Sequence, residues 1–95
     1  MSNRVQEAKR YQDAIRAILL QEWDPIGVAD APEAHDEYNS YVPQIYALLI
    51  RREPASMIFD FLWWAETESM GLCGNRAKTA AVAERLAQIP SDLGL

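Results

Sequence analysis

Apolar residues recur at steps of three and four in four separate stretches of this chain. In the first, Val5, Ala8, Tyr11 or Gln12, Ile15, Ile18, Leu19 and Trp23 line one helical stripe, while Glu7, Arg10, Asp13 and Arg16 lie mostly off it. This predicts a helix from about Asn3 to Glu22, with Asp13 and Arg16 as an i,i+3 pair. Pro25 sets the stop, because its ring disfavours the α conformation at Asp24. From Asp24 to Ala34, Pro25, Gly27 and Pro32 leave only a loop, which Ile26 and Val28 are expected to pin to the core. Tyr38, Tyr41 or Val42, Ile45, Leu48 and Leu49 resume helical spacing to about Arg51, with Asp36 as N-cap and Glu37 in the first turn. Pro43 interrupts that pattern. It cannot donate to the carbonyl of Asn39, so the helix either breaks and restarts there or is kinked.

The third helix is read from about Ala55 to Ser69, opened by Pro54 and closed by Gly71. Its core "MIFDFLWWA" is apolar nearly all round, the look of a helix covered by neighbours on several sides. Asn75 can cap a fourth helix, about Arg76 to Ile89, whose alanines give it a slim profile and which Pro90 ends. The fold class is all-α: a compact bundle of four helices, with a long ordered loop between the first and second. A chain of 95 residues makes this one domain, residues 1–95.

Charge narrows the function classes. A net charge of −5 disfavours nucleic acid, whose phosphates demand a basic face, and anionic lipid alike. A basic protein partner, or plain solubility, fits the sign. No apolar run approaches the ~18 residues of a membrane span. Cys73 is the one cysteine and "MSNRVQEAKR" is no signal peptide, so the expected compartment is a reducing one, the cytoplasm.

Six acids fall between residues 17 and 50 with no Lys or Arg among them. Asp24, Asp30, Glu33, His35, Asp36 and Glu37 have the atom types of a metal site but match no established ligand spacing, and an acidic capped loop accounts for them equally. No metal or other cofactor is expected. Cys73 with His35 as base would be a nucleophilic pair, against the plainer reading of a small packed thiol. Asp60 interrupts the apolar run of helix three, so it needs Arg16, Arg76, a tyrosine hydroxyl or water. Trp63 and Trp64 are about 100° apart on a helix, so one should be core and the other shielded or left as an interface anchor. Tyr38 and Tyr41 sit beside the acids, and tyrosine and tryptophan dominate binding hot spots, against the plainer reading that they pack the loop onto the core.

Two short elements carry a resemblance. Trp23, Asp24, Pro25, Ile26 and Gly27 resemble the Trp-Asp-Pro-apolar-Gly element that ends the first helix in YugE-like small bacterial proteins. Asp36, Glu37, Tyr38 and Tyr41 look like the Asp-Glu-Tyr-x-x-Tyr signature of related chains, with Ala29 to His35 as an insertion relative to the shorter form. The resemblance covers about Ile15 to Ile89 and implies a compact helical domain without an assigned activity or catalytic residue. Immunity proteins of bacterial toxins offer an analogy of size and charge only. The leading expectation is a non-enzymatic interaction module that binds a basic partner through Asp24, Asp30, Asp36, Glu37, Tyr38, Tyr41 and Trp64. The alternatives are a homodimer through the apolar surplus of helix three, or a small enzyme using Asp24, His35 and Glu37, with or without a metal.

Overall fold

In the computed structural model, which describes residues 3–27, 31 and 36–93, the chain forms an all-α bundle with no strand among those residues. Its helices are α1 (Asn3–Ile18), α2 (Val42–Ile50), α3 (Ala55–Trp64), α4 (Arg76–Ala87) and the single turn α5 (Ile89–Asp92). A π turn continues α1 over Leu19–Trp23, a second continues α3 over Ala65–Ser69, and a 3₁₀ turn at Asn39–Tyr41 leads into α2. The molecule measures 43 × 31 × 19 Å. Nineteen ångströms is about two helix diameters, so the bundle is two layers deep and every long helix keeps an outer face.

The π turns have a geometric cause. Ile15, Leu19 and Trp23 form an i,i+4 row, and on a straight α-helix such a row drifts about 40° per step. Widening the turn takes up that drift, marked by the Asp24 amide bonding the Leu19 carbonyl at 2.8 Å, and all three side chains stay buried. Helix α3 repeats the device. Ile58, Leu62 and Glu66 form its inward i,i+4 row, and the Met70 amide reaches the Ala65 carbonyl at 2.9 Å. Tyr38, Val42, Ile45 and Leu49 complete the core from the second segment, with Thr79, Val82, Ala83 and Leu86 from α4.

Several local expectations need correction. Asp36 caps no helix: residues 36–38 are a turn, with the Asn39 amide on the Asp36 carbonyl at 3.1 Å. Pro43 neither breaks nor kinks a helix, because α2 begins at Val42 and Pro43 sits in its first turn, where an N–H has no partner to lose. Pro90 opens α5 for the same reason, while α4 has already stopped at Ala87. Ile26 is exposed and does not pin the loop, Val28 lies outside the described residues, and Val5 stands clear of the core. Nor is α3 covered all round. Two layers supply neighbours on its inner side only, so Ser56, Asp60 and Trp64 form an outward i,i+4 row opposite Ile58, Leu62 and Glu66. The Asn75 cap is as read, its side chain accepting the Lys78 amide at 3.1 Å.

This division between faces is measurable by urea denaturation. Ile45→Ala should lower stability by about 2–5 kcal/mol, the usual cost of emptying a packed site. Val5→Ala should stay within about 0.5 kcal/mol. Equal losses would mean that the first turn of α1 packs as the remainder of its stripe does.

Candidate functional site

The two sequence elements ahead of α2 meet in space. At Asp24 the backbone turns left-handed (φ 35°), which swings Pro25 and Ile26 back over the end of the first π turn. The Tyr38 hydroxyl donates to Asp24 Oδ1 at 2.7 Å and accepts the Ile26 amide at 3.2 Å. The Tyr38 ring lies 5.5 Å from that of Trp23. Only 3% of Tyr38 is exposed. Burial first, then the hydrogen bond to Asp24, holds its phenol un-ionised well above the ordinary value of 10.0, with the charges of Asp24 and Glu37 adding to the effect and the Ile26 amide opposing it. Tyr38 and half-buried Asp24, expected at a partner surface, are thus engaged in a clasp inside the chain.

Beneath the clasp lies a buried acid that the sequence reading did not single out, while Asp60 takes the water-facing option it was given. Asp60 is exposed, and the carboxylate inside the protein is that of Glu66, 4% exposed. Its Oε1 accepts the Trp23 indole N–H at 3.1 Å and the Thr79 hydroxyl at 2.6 Å, and its Oε2 accepts the Asn75 amide at 2.8 Å. Three donors suit a group that, ionised, can only accept. They come from the end of α1's π turn, the loop before α4, and α4 itself. The Leu72 amide adds a bond to the Glu66 carbonyl at 3.0 Å, one residue wider than the usual helix-closing bond, as the π turn requires. A cleft of about 240 Å³ opens beside this cluster between Pro25, Leu72, Gly74 and Lys78. Both Glu66 oxygens are already engaged, which makes the group an architectural one. A signal for it existed in the sequence: Glu66 continues Ile58 and Leu62 at i+4, and Thr79 shares the spacing of Val82, Ala83 and Leu86.

Aromatic rings carry this order outward. From Trp23 the row runs to Tyr41 (6.2 Å between centroids), Phe61 (6.0 Å) and Trp64 (5.9 Å). Half-buried Tyr41 is further held by its hydroxyl against Ser69 Oγ at 3.0 Å. The row ends in water: Trp64 is 49% exposed, with Met57 and Ile50 also bare. A groove of about 500 Å³ between α2 and α3 lies along it, walled by Leu48, Arg51, Met57, Asp60, Phe61 and Trp64. Trp63 is the shielded member of the pair. Phe59 stacks on it at 5.8 Å, Arg76 lies 4.9 Å over its ring, and Gly74 covers its edge. A Cβ at Gly74 would stand 2.7 Å from Trp63 Cη2, and φ there is +85°, so only glycine fits.

The remaining candidates divide. Asp36 and Glu37 are exposed and have no ion-pair partner among the described residues. Asp30, Glu33 and His35 lie outside the described residues, as therefore does the triad of Asp24, His35 and Glu37. Among the described residues no group of three or more His, Cys, Asp or Glu could hold a metal, and no helix is long and apolar enough to cross a membrane. Cys73 is exposed rather than packed. No family model matches this chain, and no curated protein or solved structure matches it either.

Two expected outcomes follow from the clasp and the acid below it. Glu66→Ala strands two buried donors, the Trp23 indole and the Thr79 hydroxyl, at about 1–3 kcal/mol each and frees the part-buried Asn75 amide, so a loss of at least about 2 kcal/mol is expected in urea denaturation. A loss under about 1 kcal/mol would remove the network from the stability account. For Tyr38, a phenol whose ionisation is held up only in the folded state contributes stability below pH 10 that is lost as pH rises beyond it. Wild-type stability should therefore fall above about pH 10 more steeply than that of Tyr38→Phe, by about 1.4 kcal/mol per pH unit. Parallel curves would contradict the assignment.

Proposed function

We propose that the chain is a non-enzymatic protein-interaction module, and that it docks a basic partner on the outer face of α3. The observation that carries this reading is the setting of Trp64. Large aromatic side chains held rigid before contact lose little entropy on binding, which is why they anchor interfaces. Trp64 stacks on Phe61, Phe61 is braced by Tyr41, and Tyr41 by the buried Trp23. Beside it Asp60 stands with no ion-pair partner among the described residues, in a chain of net charge −5. Such a field speeds encounter with a cationic surface and orients it. Asp36 and Glu37 add to that field, whereas Asp24 and Tyr38 serve the clasp.

The kinship with YugE-like bacterial proteins belongs to the same proposal. Its support is the bond from Tyr38 to Asp24, which makes the Trp-Asp-Pro and Asp-Glu-Tyr elements two halves of one structural device. A cytoplasmic setting is proposed on the free, exposed thiol of Cys73. A second reading, self-association, draws on one observation. Arg51 and Asp60 line the same groove as Trp64, so a two-fold contact could pair each with the other across copies.

The test is comparative capture with the tagged full chain, quantified by mass spectrometry, alongside light scattering. A specific partner should be retained by the wild type and by Cys73→Ser, and reduced at least about tenfold, or 1.4 kcal/mol, by Trp64→Ala with Met57→Ala. Identical capture by all variants would contradict docking on α3. A mass of twice 10.8 kDa that collapses in Trp64→Ala would make the partner a second copy.

A further inference from the structure

The other flank of α3 is hollow as well. Between α3 and α4 runs a groove of about 520 Å³, walled by Phe59 and Asp60 on one side and by Arg76, Ala77, Ala80 and Glu84 on the other. Over the α4 wall nothing larger than a methyl group projects between Arg76 and Glu84. Those residues are eight apart, so the trough extends about 12 Å, or two helical turns. A helix laid over alanines can approach at the short end of the ~8–10 Å range of helix spacings.

The charges on its rim choose among occupants. Asp60 and Glu84 offer one carboxylate from each wall, both exposed and without an ion-pair partner among the described residues. The one base on the lining, Arg76, is drawn onto the rings, its guanidinium 5.4 Å from the Phe59 centre and 4.9 Å from that of Trp63, so the lining keeps an excess of one acid. An apolar floor flanked by an excess of acid matches an amphipathic helix with an apolar stripe and Lys or Arg beside it. The net charge of −5 favours the same partner at longer range.

We infer that the α3–α4 groove receives a basic amphipathic helix of a partner protein, seated on Ala77, Ala80 and Phe59 between Asp60 and Glu84. The inference rests on the interaction-module reading and adds to the Trp64 face a second contact, on the other flank of α3, for one kind of partner element.

The probe is a fluorescein-labelled Leu/Lys peptide of helical period, about 18 residues or five turns long, titrated with the full-length protein and followed by anisotropy. A Leu/Glu peptide of the same period is the control. Saturable binding is expected for the Lys peptide alone. Ala80→Trp, which fills the exposed trough, and Asp60→Lys with Glu84→Lys should each weaken it at least about tenfold, while Cys73→Ser, outside the groove, leaves it unchanged. All these positions are exposed, and a circular-dichroism melt confirms that each variant is folded. Should Ala80→Trp fail to fold, Ala77→Lys replaces it, with the same weakening expected. Absence of saturable binding, or binding indifferent to the groove variants, would overturn the inference. Binding lost in Trp64→Ala but kept in Ala80→Trp would overturn it too, leaving the α3 docking reading intact. A dimer that Ala80→Trp dissociates would replace the partner helix by a second copy.

Discussion

A carboxylate moved out of water loses several kcal/mol of hydration unless donors replace it. In this protein the three donors that replace it for Glu66 come from three places in the chain: the Trp23 indole, the Asn75 amide and the Thr79 hydroxyl. Each donor alone is an ordinary hydrogen bond. Together they tie the end of α1, the end of α3 and the start of α4 to one point, and no apolar contact would specify that meeting so narrowly. Both π turns exist to make it possible. One turns Trp23 into the core and the other turns Glu66 toward it, each by correcting the drift of an i,i+4 row.

What lies on the surface depends on that point. With Trp23 held by its indole, its ring becomes the base of the aromatic row that reaches Trp64. The loop pinned by the Asn75 amide brings Gly74 and Arg76 down on Trp63, which hides one tryptophan of the pair and leaves the other bare. The two-layer depth of 19 Å does the rest, because no third layer among the described residues covers α3. The exposed Trp64 and the flanking grooves follow from how the core is tied.

The helices, the Asn75 cap and the glycine after α3 were legible because each is a local signal: periodicity, a capping side chain, a left-handed position. The role of Pro43 was ambiguous because a proline in a first turn and one at a kink look alike until the neighbouring backbone is placed. The tyrosines stood between a binding face and loop-to-core packing for a different reason. Tyr38 looks like a surface residue beside acids, and its burial depends on Asp24 folding back across a dozen intervening positions, a tertiary event with no local mark. Glu66 was passed over because an acid within an apolar run, Asp60, draws attention, whereas the spacing from Ile58 and Leu62 shows which acid faces inward. Which of Trp63 and Trp64 is shielded stayed open in the sequence, because the choice needed Gly74 and Arg76 in place.

The central claim is that the Trp23 indole is bonded to a carboxylate inside the protein, and exchange of the three indole N–H protons tests it most directly. In a ¹H–¹⁵N spectrum in deuterated buffer, the Trp23 signal should decay more than about a hundredfold more slowly than that of Trp64, close to the slowest core amides. If the Trp23 proton exchanged as fast as the Trp64 proton, the tie through Glu66 would not exist and the account built on it would be wrong.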